Sequence, residues 1–303
     1  MRDLPPWLVQ PGLTLQAVAR RDRPLAARLD DLTHMLDEVD DLFAVHLPAH
    51  AQWLQSFAST GPLPAEVVSR WVDTLFADAA ILLRRDLLPD MEAGGVAIRP
   101  VVKLDEAQRA WLHRHFTRRI YPLLTPLAVD PGRPFPFISS ESLNLLVELR
   151  KPEARRTGAP SLLARVKIPT TCPRLIPIPA RPAARSDEDD ATDTGVYVCA
   201  ADVVRFFVHH LFPGMPVRRV YLFRVVRGEK PLPGMIQNGK LRPRRDESRP
   251  AVRLDVEQRM DPDVLAWLVE HLRLPAYAVA RHDGLAEWAC LPNLAVNDLT
   301  RRL

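Results

Sequence analysis

The chain has 303 residues, of which 47% are hydrophobic and 26% are charged, and its formal net charge is +4. This composition excludes a wholly disordered chain and is sufficient for one or two domains with a sizeable core. No apolar run of about 18 residues occurs, so the sequence predicts no transmembrane helix. The three cysteines form no CxxC pair, which argues against a disulfide scaffold and predicts a cytoplasmic protein.

The charge is distributed unevenly along the chain. Residues 1–100 contain 9 basic and 14 acidic side chains, whereas residues 101–303 contain 32 basic and 23 acidic ones. This asymmetry indicates two units, the second of which is better suited to a polyanion. An ordinary basic surface explains the same count equally well.

The first hundred residues carry the apolar spacing of helices. Leucine, valine and phenylalanine recur every three or four residues over 13–47, which predicts a helix that Pro48 ends or kinks. Further helices are predicted over 51–59 and 64–88, and Pro89 with the glycines after it closes the last one. The sequence therefore predicts a small antiparallel helical domain.

The pattern changes after residue 100. A helix is predicted over 105–124, with Asp105 at its positive end and Pro122 near its stop. Apolar alternation then predicts strands interleaved with two helices. The predicted fold class is α+β, with a helical N-terminal domain over 1–100 and a mixed α/β domain over 101–303. The predicted strands cover 96–102, 142–150, 162–168, 195–199, 217–226, 251–256 and 277–280, and the helices cover 201–211 and 261–272.

Two polar stretches, 180–194 and 228–250, are predicted to be mobile. The second contains a basic cluster made of Lys240, Arg242, Arg244 and Arg245. Such a cluster could bind phosphates, but it has no interleaved aromatic residues for base stacking. A solvated loop is the favoured interpretation.

Familiar catalytic and metal-binding motifs are missing. The chain has no P-loop, no GxGxxG after a strand, no HExxH and no His-x-Lys of the kind that attacks phosphorus in phospholipase-D-like phosphotransferases. His113 and His115 are two positions apart on a predicted helix, and His209 and His210 are adjacent, so the members of each pair point to different faces. The sequence predicts no metal site from these histidines.

An acidic cluster lies on the second half of the 13–47 segment. It consists of Asp37, Glu38, Asp40 and Asp41. At helical spacing only Asp37 and Asp41 share a face, so a solvated helix face is favoured over a metal site.

The segment 104–150 carries a more specific pattern. It contains LTPLAVDP at 124–131, FPF at 135–137 and SLNL at 142–145. These motifs resemble the start of the middle, or head, domain of bacterial polyphosphate kinase. Shorter motifs further along the chain match the same family in the same order: ARVKIP at 164–169, LFPGM at 211–215, FRV at 223–225 and VRL at 252–254. Upstream, Trp7-Leu8 matches a motif of the family's N-terminal helical domain.

The resemblance has two departures. The family continues into two phospholipase-D-like domains that carry the phosphate-accepting histidine, and this sequence ends at Leu303, about where they would begin. We therefore expect no catalytic residues here. The family's N-terminal domain also has S-x-N-L-D-E-F, whose asparagine helps hold adenine, whereas Asp37 and Glu38 occupy the aligned stretch. Because a carboxylate cannot donate a hydrogen bond, this motif is expected to be lost. We therefore expect no cofactor. ATP and magnesium would be expected to bind only if the family's activity persists in this chain.

These departures favour a pseudoenzyme. It would act as a scaffold or regulator in polyphosphate metabolism, forming a homodimer through the head domain or associating with a complete polyphosphate kinase. One alternative is the non-catalytic half of a split ATP:polyphosphate phosphotransferase, and another is a binding protein for polyphosphate or RNA. The candidate polyanion contacts are Arg165, Lys167, Arg174, Lys240, Arg242, Arg244 and Arg245.

Overall fold

The computed structural model describes residues 5–49, 64–129, 135–150, 162–179, 195–228, 236–237, 240–241, 249–284, 288 and 290. The helix predicted over 51–59 and the mobile stretch predicted over 180–194 lie outside the described residues. So does most of the stretch predicted over 228–250.

Seven main helices and eleven strands are described. The helices are α1 Pro6–Ala19, α2 Leu25–Asp41, α3 Pro64–Leu82, α4 Leu88–Ala93, α5 Glu106–His115, α6 Ala200–Phe206 and α7 Pro262–Leu272. The strands are β1 Ala97–Ile98, β2 Pro126–Val129, β3 Leu143–Leu149, β4 Leu162–Lys167, β5 Leu175–Pro177, β6 Val196–Cys199, β7 Val217–Arg227, β8 Ile236–Gln237, β9 Lys240–Leu241, β10 Ala251–Glu257 and β11 Val279–His282.

The single helix predicted over 13–47 is wrong, because the chain breaks between α1 and α2. Arg20 leaves the helical conformation with φ −76° and ψ 103°, and Pro24 precedes the first residue of α2. Pro24 takes the position just before α2, where its missing N–H breaks no helical hydrogen bond. Proline also disfavours helical geometry in the residue before it, which separates α1 from α2.

Three helices change from α-helix to a wider π-helical turn just before a proline. The π turns Leu42–His46, Leu83–Leu87 and Phe116–Ile120 each end two residues before a proline, at positions 48, 89 and 122. A proline ring collides with the carbonyl four residues earlier, and the wider turn moves that carbonyl away. Of the two outcomes predicted at Pro48, an end or a kink, the helix is disturbed but continues to Ala49, and the helix predicted over 64–88 continues past Pro89 to Ala93.

The described chain divides into two compact units, each built from separate stretches of sequence. Unit 1 comprises 1–85, 137–142 and 223–285, and unit 2 comprises 86–136, 143–222 and 286–303. The domain boundary predicted near residue 100 stays a prediction.

Unit 1 packs helices with the strand pair β7–β10 and β11. Helix α1 contacts α2, and α2 buries an apolar stripe that includes Leu29, Leu32, Met35 and Val39 at spacings of three and four. Strand β10 pairs antiparallel with β7 and parallel with β11. Helix α7 begins as predicted, with the Asp261 side chain accepting a hydrogen bond at its N-terminus.

Unit 2 contains two groups of paired strands. Strand β4 pairs antiparallel with β3 and with β2, and β6 pairs parallel with β1 and antiparallel with β5. Helix α5 begins with a capping box, in which Asp105 and Gln108 bond each other's backbone N–H groups.

The fold class is α+β, as predicted. Five of the seven predicted strands are confirmed within one or two residues. The strand predicted over 96–102 is limited to Ala97–Ile98, because a 3-10 turn forms at Val101–Lys103. The strand predicted over 277–280 begins only at Val279, after a 3-10 turn at Ala276–Ala278. Strands β2, β5, β8 and β9 were not predicted, and the last two lie in the stretch 228–250 that was predicted to be mobile. Within the described part of the chain, no helix combines the length and apolar character needed to cross a membrane.

Candidate functional site

A buried network of charges lies at the centre of unit 1. Arg224 of β7 faces Asp255 of β10 in the antiparallel register, and its Nε and Nη2 donate to Asp255 Oδ2 at 3.2 and 2.9 Å. The same guanidinium reaches the end of α2, where Nη1 and Nη2 donate to Asp40 Oδ2 and Oδ1 at 2.6 and 2.7 Å. One arginine therefore joins a helix to two strands through a bidentate pair and a second carboxylate.

The second oxygen of Asp255 is also occupied. Arg253 lies two positions earlier on the same face of β10, and its Nε donates to Asp255 Oδ1 at 2.9 Å. His282 of β11 places its Nε2 2.8 Å from the same oxygen. Burial alone would raise the pKa of Asp255, but the charges of Arg253 and Arg224 and the bond from His282 hold that pKa well below its usual value.

Aromatic rings enclose this network. The Arg253 guanidinium lies 4.7 Å from the ring centre of Phe43 and 5.2 Å from that of Phe76, and Phe76 meets His282 edge to face at 4.5 Å. Arg253 and Asp255 are each 1% exposed. The network is thus an interior feature that holds α2 against β7 and β10, because charges without water at this depth must be paired.

The network combines three motifs that are distant in sequence. Asp40 lies in the stretch aligned with the adenine motif, Arg224 in FRV and Arg253 in VRL. The solvated helix face predicted for the acidic cluster is therefore wrong for Asp40, which is 8% exposed, and holds for Asp37 and Asp41. Burial outweighs the attraction of Arg224 and raises the pKa of Asp40.

Glu38, in place of the motif's asparagine, has a partner on its own helix. Its Oε1 lies 3.2 Å from His34 Nε2, one turn earlier. Burial raises the pKa of the neighbouring Asp37, which the charge of His34 offsets in part. Among the described residues, no group of three or more histidine, cysteine or acidic side chains is placed to hold a metal ion.

Three of the candidate polyanion residues are described with their side chains, all in unit 2. Arg165 is buried, and its Nε donates to Asn144 Oδ1 at 2.8 Å; burial lowers its pKa. Lys167 lies on the same face of β4 and is half-buried, as is Arg174 just before β5. Lys240 is described only as part of β9, and the other three arginines lie outside the described residues. Contact with a polyanion stays a prediction for all seven.

The comparisons with known proteins match nearly the whole chain. The family model described as "Polyphosphate kinase middle domain" matches residues 107–294, which is more than half of the sequence. The chain belongs to the polyphosphate kinase family. The polyphosphate kinase of Streptomyces coelicolor is 32% identical over 281 residues, covering 88% of this chain and 35% of that protein. The polyphosphate kinase of Synechocystis is 30% identical over 277 residues, covering 86% of this chain and 37% of that protein.

A solved structure agrees with the family assignment at the level of fold. The crystal structure of polyphosphate kinase from Porphyromonas gingivalis superposes with a TM-score of 0.74 and 21% identity, over 96% of this chain and 40% of that one. The chain thus spans about a third to a half of the polyphosphate kinases it matches. The resemblance drawn from the motifs is confirmed, and the relatives' alignments also reach the helical first hundred residues.

Proposed function

We propose that this polyphosphate kinase family chain is an assembly module in polyphosphate metabolism. Residues 1–303 would dimerise or bind a complete polyphosphate kinase, and would transfer no phosphate by themselves. The observation that carries this proposal is that charged residues of the family-like motifs are buried and pair with one another inside unit 1. Asp40, Arg224, Arg253 and Asp255 form ion pairs with one another in the interior of unit 1, where we expect no substrate to reach them.

The surroundings of Glu38 support the same proposal. A carboxylate repels the phosphates of ATP and cannot donate to adenine, whereas the family's asparagine can do so. Glu38 also lies beside His34 and is largely covered by protein, with a side-chain exposure of 13%. We infer that neither ATP nor magnesium is held here.

The cysteines support a cytoplasmic location. Cys172, Cys199 and Cys290 are each buried as free thiols. Buried free thiols are typical of proteins that fold in a reducing compartment.

A transfer assay tests the proposal. The purified chain is incubated with magnesium and ATP labelled on the γ-phosphate, and label is measured in acid-insoluble polyphosphate and on the protein. A complete polyphosphate kinase serves as the positive control, and light scattering gives the mass of the chain in solution. We expect no label and a mass of two chains, or a complex after the complete enzyme is added. Label in either fraction, or a monomer that does not bind the complete enzyme, would contradict the proposal.

A second candidate function, polyphosphate binding, is favoured by the excess of basic residues over 101–303. Binding through phosphate contacts should weaken steeply as salt is raised from 50 to about 200 mM. Retention on immobilised polyphosphate that is independent of salt would contradict it. Catalytic activity that arises only on mixing with a separate catalytic chain would instead indicate the split phosphotransferase.

A further inference from the structure

Two histidines that are 97 residues apart meet on the surface of unit 2. His113 lies near the end of α5, and His210 lies in the 3-10 turn Val208–Leu211 that follows α6. Their Nε2 atoms are 3.3 Å apart, and both residues are exposed. The sequence pattern does not predict this pair, because its two members lie in separate elements 97 positions apart.

The separation of the two nitrogens matches that of paired metal ligands. Imidazole nitrogens bind zinc at about 2.0–2.1 Å, and at the tetrahedral angle two such bonds place the nitrogens about 3.3–3.4 Å apart. We propose that His113 and His210 form a binding site for a divalent transition metal ion of the kind that prefers imidazole, namely Zn²⁺, Ni²⁺ or Cu²⁺.

Aromatic packing holds both rings in place. The Phe207 ring, which is 5% exposed, lies 5.2 Å from the His113 ring and 6.1 Å from the His210 ring. The Phe116 ring in turn stacks on the Phe207 ring, with 5.0 Å between the ring centres. A pair preorganised in this way loses little side-chain freedom when it binds an ion, which favours binding.

The site has two protein ligands and open positions for water. The ring of His209 is centred 4.2 Å from that of His210, but among the described residues no three histidine, cysteine or acidic side chains are placed together to hold an ion. An ion here would link α5 to the turn after α6, and would stabilise unit 2 in proportion to its occupancy. Such a site is independent of phosphate transfer and goes beyond the assembly role proposed above.

Nickel titration of the purified chain provides the test, because Ni²⁺ favours imidazole ligands over buried thiols. Calorimetry and equilibrium dialysis at pH 7.5 should give one bound ion per chain, with a rise in the melting temperature. Replacing either ligand, as His113→Ala or His210→Ala, should weaken binding by about tenfold or more. Circular dichroism of the metal-free variants checks that each remains folded.

Two control variants address competing sites. His115→Ala removes the histidine that stacks on Trp111, two positions from His113, and His34→Ala removes the rival pair with Glu38. Both variants should bind Ni²⁺ as the unmodified chain does. The proposal is overturned if the unmodified chain binds no Ni²⁺, if His113→Ala and His210→Ala bind it normally, or if His34→Ala abolishes binding.

Discussion

Replacing Arg224 with methionine tests whether the charge network stabilises unit 1. Arg224→Met keeps an unbranched apolar stem but removes the guanidinium and its four hydrogen bonds to Asp40 and Asp255. Asp255 keeps Arg253 and His282, whereas Asp40 loses its ionic partner among the described residues. The main cost is therefore a buried, uncompensated carboxylate at the end of α2.

The size of the effect follows from the depth of the pair. Removing one partner of a buried ion pair costs about 3–5 kcal/mol. The side chains of Arg224 and Asp40 are 19% and 11% exposed, so we expect the lower end of that range, about 3 kcal/mol. Urea unfolding followed by circular dichroism measures this loss as a lower midpoint. The double variant Arg224→Met with Asp40→Asn should recover part of the stability, because it removes the isolated charge.

A matched change at the surface separates this effect from the loss of any arginine. Arg20 pairs with Asp22, and the two side chains are 63% and 65% exposed. Exposed pairs of this kind contribute little to stability. Arg20→Met should therefore unfold at the same urea concentration as the unmodified chain. Equal losses for Arg224→Met and Arg20→Met, or no recovery in the double variant, would refute the argument.

Three further predictions concern stability. The pKa of Asp255 is depressed, so its contribution to stability is complete above the unfolded value of about 3.9 and is lost as the pH falls from there toward the folded value; the urea midpoint should therefore fall as the pH is lowered from about 4 to about 2, and an unchanged midpoint would contradict this. Arg165→Met should lower the free energy of unfolding by about 1–2 kcal/mol, measured in urea, because buried Asn144 loses a donor. Asp105→Ala should cost about 1 kcal/mol in the same assay through loss of the α5 capping box, and Asp105→Asn should restore most of it.

Strands were predictable because their signal is local. Each face of a strand is set by alternate residues, so the apolar runs at β3, β4 and β10 identified them nearly to their ends. Helix ends were harder to predict. A proline marks a disturbance of the helix, but whether the chain stops, as before Pro24, or continues through a π turn, as before Pro89, depends on packing that the sequence pattern does not contain.

The charge network was not predictable from local pattern, because its members come from distant segments. Asp40 and Arg224 are 184 positions apart, and Arg224 and Asp255 are 31 apart. A carboxylate in an acidic helical run is usually solvated, whereas Asp40 is buried and accepts hydrogen bonds from Arg224 of β7. The His113–His210 pair escaped prediction for the same reason, being separated by 97 positions.

A residue that matches a family motif can serve either the fold or the chemistry, and its position in the structure indicates which. Residues such as Arg224 and Arg253 match family motifs and are used inside unit 1, so their presence is evidence for the fold rather than for phosphate transfer. Evidence about activity must come from positions whose side chains could meet a ligand. Glu38 is the candidate for such a position, because the resemblance aligns it with an asparagine of the family. Glu38→Asn therefore tests the proposed loss of ATP binding: it should leave the urea midpoint nearly unchanged, and a gain in ATP binding would support a role for this side chain.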